Sequence, residues 1–214
     1  MLGRDVDVVL SPVTEIEPVA FKVDLSAYGA LIFTSQHAVQ SMKGVAGLSG
    51  RPAFAVGEHT AKAASELGLA VVASGANADD LVARIIAEKP AGNLLFVRGV
   101  HTRGDIENRL ENSGLETDSV ITYDQIEKPL SARAIEILRG ASPVVLPLFS
   151  PRSAELMARK SSECSAPAPL VLIAMSGAVL AAWDGPVAAV SISVREPTAH
   201  AMAEETLRRV RGLT

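Results

Sequence analysis

The sequence predicts an α/β protein with two parallel-sheet domains, and three observations support this class. Short apolar runs rich in Val, Leu and Ile alternate with helical patterns, as in sheets that are buried on both faces. Blocks of similar sequence occur twice in the same order. Two extended, proline-ended segments occupy equivalent places in the two copies. We therefore expect two similar domains, joined by a two-stranded linker, with a cleft between them.

The apolar runs and helical patterns predict the individual elements in order. Strands are predicted at 6–10, 30–33, 53–56, 70–73, 94–97, 119–123, 144–149, 170–174 and 187–192. Helices are predicted at 36–46, 58–67, 78–88, 102–112, 131–139, 151–160, 177–183 and 198–211. Four helices are followed by a glycine that is typical of helix C-termini: Gly68, Gly114, Gly140 and Gly212. Because strand and helix alternate, we expect parallel sheets.

An internal repeat underlies this order. Residues 3–18 resemble residues 114–129 with the same offset at both ends. Three further pairs follow in the same order: 31–42 with 147–158, 53–68 with 172–185, and 74–85 with 193–210. Any two α/β stretches share such patterns, but the constant offset and the order favour duplication. The second copy opens with 94–114, to which nothing corresponds before Gly3, so the first copy is expected to lack one strand and one helix. Two explanations stay open: a true shortening, or a start site placed too late.

The repeat also predicts the domain boundaries. The segments Thr14–Pro18 and Gln125–Pro129 are extended and not helix-like, and we interpret them as paired crossings between two domains. One domain then takes residues 1–14 and 129–214, and the other takes residues 15–128. The turns after the strand ends are expected to face the cleft, as in open parallel sheets.

Composition excludes several classes of protein. The net charge of −4 implies no general affinity for nucleic acid. A single cysteine, Cys164, excludes an internal disulfide, and four scattered histidines show no metal-ligand spacing. The sequence contains no apolar run of about 18 residues, so it predicts no membrane span. The start MLGRDVDVV carries acids within a strand-like run and predicts no signal peptide, so we expect a cytoplasmic protein.

The turn after the run at 30–33 is a candidate anion site. Thr34 and Ser35 stand where a strand passes into a helix, and the first N–H groups of a helix lack partners. The simpler interpretation is plain helix capping, because Ser and Thr are common caps. The chain repeats the pattern after several strands, and this repetition favours the anion site.

An ordered set of motifs resembles the uroporphyrinogen-III synthase family. The motifs are LIFTSQHAV (31–39), AVGEHTAKAASELG (55–68), GANADDL (75–81), LLFVRG (94–99), ITYDQ (121–125), FSPRSAE (149–155) and EPT (196–198). Two departures accompany them. The family begins with a strand and helix that this chain lacks, and the turn at 173–183 has Ser176, Gly177 and Ala178 where Gly and Thr are expected.

The resemblance implies a fold and a reaction. Family members have two Rossmann-like domains joined by a two-stranded ladder. They cyclise hydroxymethylbilane, a linear tetrapyrrole with many carboxylates. The reaction releases water and inverts the last pyrrole ring, and it uses no metal or organic cofactor. We expect the same lyase reaction here, in haem biosynthesis. We also expect a monomer that receives this small-molecule substrate by transient hand-off from hydroxymethylbilane synthase and binds neither nucleic acid nor membrane.

Substrate-binding residues are predicted at the helix starts and in one arginine-bearing turn. The predicted residues are Thr34, Ser35, Gly57, Thr60, Arg98, Gly99, Arg103, Ser150, Ser153, Ser176 and Thr198, with Arg152 as a further candidate. Each arginine is equally well interpreted as a solvated surface charge. We interpret Phe149 and Trp183 as core residues.

Tyr123 is the predicted catalytic residue. The resemblance implies that it lies in the cleft, where a phenol could donate a proton to the departing hydroxyl. An ordinary Tyr at a strand end, with its hydroxyl in water, fits the residues nearly as well. Two other functions stay open at this point: a two-lobed protein that binds or senses a small anion, and a relative of the synthases that has lost catalysis.

Overall fold

A computed structural model describes residues 6–102, 104–164 and 168–213 and divides the chain into two compact units. The inner unit spans Ile16–Ile126, and the terminal unit combines the chain up to Glu15 with the chain from Glu127 onward. The sequence predicted crossings after residues 14 and 128. The observed crossings lie within two strands, β1 (Thr14–Pro18) and β6 (Thr117–Glu127).

The inner unit alternates strand and helix along most of its length. Its strands are β2 (Tyr28–Phe33), β3 (Pro52–Val56), β4 (Ala70–Gly75) and β5 (Asn93–Gly99), followed by β6. Its helices are α1 (Gln36–Ser41), α2 (Glu58–Glu66), α3 (Ala78–Glu88) and α4 (Ile106–Glu111), preceded by a short 3-10 helix at Leu25–Ala27. The strands form one sheet in the order β1-β6-β5-β2-β3-β4. Each pair from β6 to β4 is parallel, so the carboxyl ends of these five strands share one edge.

Alternation along β2 and β5 builds a core on each face of this sheet. Leu31 and Phe33 point to one face and pack with residues of α1 and α2. Ile32 and Phe96 point to the other face and pack with residues of α3 and α4, Leu81 among them. Both faces are covered by helices, which explains why these strands are continuous apolar runs rather than alternating ones.

The terminal unit has a smaller parallel sheet. Its strands are β7 (Val144–Leu148), β8 (Leu170–Ala174) and β9 (Val190–Ser193), in the order β7-β8-β9. Its helices are α5 (Ala132–Leu138), α6 (Pro151–Ser162), α7 (Gly177–Ala181) and α8 (Ala199–Arg211). The sequence β7-α6-β8-α7-β9-α8 repeats the order β2-α1-β3-α2-β4-α3 of the inner unit. The predicted α/β class with two parallel-sheet domains is thus confirmed, while the linker ladder and the cleft stay predictions.

Pro147 fits β7 because this strand is at the edge of its sheet. Val144 donates its N–H to the Pro169 carbonyl, and the Leu148 carbonyl accepts from Met175, so these two residues bond toward β8. Pro147 lies between them in alternation and faces away from β8. A proline there removes no bond of the observed ladder, since its missing N–H is on the outer side.

The predicted strand at 6–10 is wrong. Residues 6–10 form no strand, and Val8 and Leu10 are 63% and 88% exposed. A strand needs a neighbour for its backbone N–H and C=O groups. Within the described residues, no sheet edge pairs with this segment. Apolar content alone therefore did not specify a strand.

Candidate functional site

The turns at the carboxyl edge of the inner sheet bring most of the predicted inner-unit residues to one side. Thr34 and Ser35 follow β2, Gly57 follows β3, and Gly99 ends β5. Tyr123 lies in β6 and is the register partner of Gly99. Neighbouring parallel strands therefore place Gly99 and Tyr123 side by side, although they are far apart in sequence.

The helix starts at this edge differ in how far their amides are already used. Ser35 caps α1, and its Oγ accepts the His37 N–H at 3.1 Å. At α3, the Asn77 side chain accepts from the Asp80 N–H, and the Asp80 carboxylate accepts from the Ala76 N–H at 2.9 Å. These protein groups already fill the start of α3, so an anion gains little there.

The start of α2 is different because no side chain caps it. Its N-cap is Gly57, with φ of +77°, a backbone conformation that favours glycine. The Gly57 N–H donates to the Gly75 carbonyl at 2.7 Å, which holds the turn in place. Thr60 lies in the first turn and is buried, so its side chain supports the fold rather than the open edge. Uncapped first-turn amides with a partial positive charge suit an incoming carboxylate.

The lowered pKa of the Asp80 carboxyl shows that this edge of the sheet favours a negative charge. The N–H of Ala76, followed by the Arg84 guanidinium, holds the pKa of the Asp80 carboxyl below its usual range. A single backbone N–H is thus enough to favour the charged form of a carboxyl group at this edge, and free N–H groups at an uncapped helix start would favour a ligand carboxylate in the same way.

Tyr123 is held in a tight, largely buried place. Its side chain is 7% exposed. A Cβ added at Gly99 would lie 2.7 Å from Cε2 and Cζ of the ring and 3.1 Å from the hydroxyl oxygen. The His37 ring packs against it with centroids 5.9 Å apart at an interplanar angle of 58°. Within the described part of the chain the Tyr123 hydroxyl makes no hydrogen bond, so it is available to a ligand.

Arg98 lies at the same edge but on the other face of the sheet. Along β5, Leu95 and Val97 point to the face of Tyr123, and the alternation sends Arg98 to the opposite face. Its Nη1 donates to the Gly99 carbonyl at 3.2 Å. Its Nε is buried and has no acceptor among the described residues. An unsatisfied guanidinium N–H at a strand end is suited to a carboxylate.

The terminal unit presents its predicted residues at the carboxyl edge of its own sheet. Ser150 caps α6, and Ser150 and Ser153 bond to each other in a capping box. Ser176 caps α7 and Thr198 caps α8, each accepting one backbone N–H as an ordinary cap does. Pro151, the first residue of α6, supplies no N–H. The structure explains these hydroxyls as caps, and their role in binding stays a prediction.

The two compact units divide the predicted site residues between them. The structure groups Thr34, Ser35, Gly57, Thr60, Arg98, Gly99 and Tyr123 in the inner unit, and Ser150, Ser153, Ser176 and Thr198 in the terminal unit. Arg103 lies outside the described residues. The core assignment of Phe149 is wrong, because β7 ends at Leu148 and Phe149 is 54% exposed. Trp183 is partly buried against the terminal core, as expected.

Sequence reasoning missed His37. The residue stands two positions after the cap Ser35, and that spacing would have placed it at the edge of the sheet. Its contact with Tyr123 depends on the order of the strands in the sheet, which could not be predicted from the sequence.

No group of three or more His, Cys, Asp or Glu side chains able to hold a metal occurs in the residues that the structure covers. In those residues no helix has the length and apolar character needed to cross a membrane.

The comparisons with known proteins identify the family. The family model for uroporphyrinogen-III synthase HemD matches residues 2–209. The chain belongs to this family. It is therefore an enzyme of tetrapyrrole synthesis with a function in haem biosynthesis, and the alternative of an anion-binding or sensor protein is not favoured. Comparison with curated protein sequences gave no match.

Solved structures show the same fold. The uroporphyrinogen-III synthetase from Helicobacter pylori 26695 is similar with a TM-score of 0.70 and 17% identity, covering 92% of this chain and 91% of that chain. A mutant uroporphyrinogen III synthase from the extremely thermophilic bacterium Thermus thermophilus is similar with a TM-score of 0.56 and 14% identity, covering 94% and 88%. At these identities the likeness concerns the fold.

Proposed function

We propose that this chain closes hydroxymethylbilane to uroporphyrinogen III as a hydro-lyase that uses no metal or organic cofactor. The observation that carries the proposal is the family match over residues 2–209. The local geometry supports it through one buried tyrosine with an unbonded hydroxyl, at an edge that also carries uncapped amides. A linear, carboxylate-rich tetrapyrrole places two requirements on the protein that binds it.

The first requirement is to hold many carboxylates on a protein whose net charge is −4. Helix starts supply N–H groups and about half a positive charge each without a basic surface. The uncapped start of α2 at Gly57 supports one such contact. The partly exposed Arg98 at the end of β5 is a second candidate, since a guanidinium binds a carboxylate strongly. The capped starts at Ser35, Ser150, Ser176 and Thr198 are the weaker candidates.

The second requirement is departure of the substrate hydroxyl. In this step the C–O bond breaks with its electron pair, a proton joins the oxygen, and water leaves behind a cation. The substituted carbon of the last pyrrole ring attacks that cation, forming a C–C bond and a spiro intermediate. The bond between that substituted carbon and the bridge to the third ring then breaks, which leaves a second cation on the bridge carbon. The other α carbon of the last ring attacks this cation and forms the closing C–C bond, and loss of the proton on that carbon to water gives the inverted ring. Only the protonation of the leaving oxygen needs a protein acid.

We assign that proton donation to Tyr123. Its ring is buried, its hydroxyl makes no bond to a described residue, and a phenol O–H is a hydrogen-bond donor. A general acid in this place is typically worth ~10²–10⁴-fold in rate. The rest of the acceleration comes from holding the two ends of the linear chain together, which can supply several kcal/mol, on the order of 7 or more.

A pair of tyrosine variants tests the assignment. Tyr123→Phe keeps the ring and removes only the hydroxyl, so we expect formation of the type III product to slow by about 10²-fold or more. The matched control is Tyr28→Phe. Tyr28 lies at the opposite end of β2, where its hydroxyl donates to the Asp118 carboxylate at 2.9 Å. The control should turn over like the unaltered protein. Unchanged turnover in Tyr123→Phe would remove this residue from the mechanism.

The proposed function also bears on the location, oligomeric state and partner of the enzyme. The substrate also closes on its own to the type I isomer, so a transient hand-off from hydroxymethylbilane synthase would protect it. We propose that the chain acts as a monomer in the cytoplasm. Size-exclusion chromatography with light scattering tests the monomer, and mixing with the upstream enzyme tests the hand-off.

A further inference from the structure

The hydroxyl of Tyr123 is directed by packing rather than by a hydrogen bond. No described residue accepts from it or donates to it. One side of the ring lies against Gly99, where even a single added methyl would come within 2.7 Å. The ring therefore fits beside β5 only because residue 99 has no side chain, and the Gly99 backbone bounds it on this side. What limits its movement elsewhere then decides where the hydroxyl points.

His37 supplies a second contact to the same ring. The two rings are 5.9 Å apart between centroids and inclined at 58°, which is within the range of favourable edge-to-face aromatic pairs. The backbone of His37 is fixed, because its N–H donates to Ser35 Oγ at 3.1 Å in the first turn of α1. The imidazole is half-buried, so the contact does not depend on a freely moving surface side chain.

The two compact units differ at both members of this pair. In the inner unit, His37 is the second residue after the cap Ser35, whereas in the terminal unit the second residue after the cap Ser150 is Arg152. The repeat places Pro12, in the terminal unit, at the position that corresponds to Tyr123. The inner unit has both the phenol and its aromatic partner, and the terminal unit has neither ring at these positions.

We propose that His37 is a positioning residue that holds the phenol of Tyr123 in its reactive orientation. This inference rests on the proposed role of Tyr123 as the proton donor. His37 touches the ring of Tyr123 and acts through it. Loss of the imidazole leaves the phenol free to turn away from Gly99, and the hydroxyl then spends less time at the leaving oxygen.

A double-mutant cycle on turnover tests this coupling. His37→Ala should slow formation of the type III product about 2- to 10-fold, the effect of losing one aromatic pair. His37→Phe keeps a ring in the same place and should restore most of the rate. In a Tyr123→Phe background, His37→Ala should have no further effect, because the hydroxyl that it positions is absent.

The matched control is His200→Ala. His200 is likewise the second residue of its helix, α8, but its side chain is exposed and lies 3.3 Å from the Glu204 carboxylate. We expect unchanged turnover. Equal slowing by His37→Ala with and without the Tyr123 hydroxyl would overturn the inference, as would wild-type turnover in His37→Ala.

A substrate-free measurement separates this inference from the proposed function. The chain has two tyrosines, so a Tyr28→Phe protein grown with fluorotyrosine gives one ¹⁹F resonance, that of Tyr123. His37→Ala should shift and broaden that resonance, and His200→Ala should not. A shifted resonance with unchanged turnover in Tyr123→Phe would refute the proton-donor role and retain the positioning. An unchanged resonance in His37→Ala would refute the positioning itself.

Discussion

Replacing Gly99 with alanine should disable Tyr123 without touching it chemically. The new Cβ would lie 2.7 Å from two ring carbons and 3.1 Å from the hydroxyl oxygen. Ordinary carbon–carbon contact is about 3.5–4.0 Å, so the ring has to move by ~1 Å. The backbone at Gly99 has no positive φ, so alanine is conformationally allowed there and the effect is steric.

Two magnitudes follow from that displacement. Overpacking of this kind costs about 1–3 kcal/mol in the free energy of unfolding. Misplacing a reacting group by ~1 Å costs up to about 10²-fold in rate, so turnover should fall toward that of Tyr123→Phe. The loss of rate should therefore be greater than the modest loss of stability, and the protein should still be folded at 25 °C.

The assay compares type III product formation with urea unfolding of the same preparation. Gly212→Ala is the control, because a Cβ there meets its nearest atoms at 3.6 Å, an ordinary contact, at the end of α8. That variant should keep both its rate and its stability. Wild-type turnover in a folded Gly99→Ala protein would show that the position of the Tyr123 ring does not matter, and would refute the reasoning.

Three further predictions concern stability. Asp80→Asn should make the free energy of unfolding less dependent on pH in acid. The folded pKa of Asp80 is lowered, so this carboxyl stabilises the protein above its unfolded pKa and loses that contribution as pH falls through the folded pKa. The free energy of unfolding, measured from pH 6 to pH 2, should therefore fall less steeply in the variant than in the unaltered protein. Ser150→Ala removes the cap of α6 and should lower the free energy of unfolding by about 0.5–2 kcal/mol in urea titrations, and an unchanged midpoint would contradict the capping role. Phe149→Ala should cost far less than the ~3–5 kcal/mol of a buried Phe, because this side chain is half exposed, and a cost in that range would show that it is packed.

The parallel sheets could be predicted because their strands are buried on both faces. Apolar runs such as Leu170–Ala174 have the same bounds in the sequence prediction and in the structure. The helix Ala78–Glu88 was also predicted to the residue, and in the structure Asn77 caps its start and two acids lie in its first turn. Burial on both faces and helix capping depend on residues within one segment, so a single sequence is enough to predict them.

The failures share a physical cause, which is dependence on a neighbour. The run at 6–10 has strand composition, but it forms no strand without a partner edge. Phe149 was predicted to be core because β7 was extended by one residue, and one residue moves a side chain from the core to the solvent. Apolar character did not reveal where the strand ends.

The candidate site likewise has a part that could be predicted from local sequence and a part that depends on the order of the strands. The position of Ser35, Gly57 and Gly99 at strand ends could be predicted because turns after strands are visible in the sequence, and their role in binding stays a prediction. The contact between His37 and Tyr123 was not found, because it requires that β6 and β5 pair and that β5 lies beside β2. Strand order is a property of the whole sheet rather than of any one segment.

The most direct test of the account is the isomer that the purified chain makes from freshly prepared hydroxymethylbilane. Separation of the two products by chromatography gives the ratio of type III to type I. The account predicts type III product, formed faster than the spontaneous closure. Type I product alone, at the spontaneous rate, would contradict it.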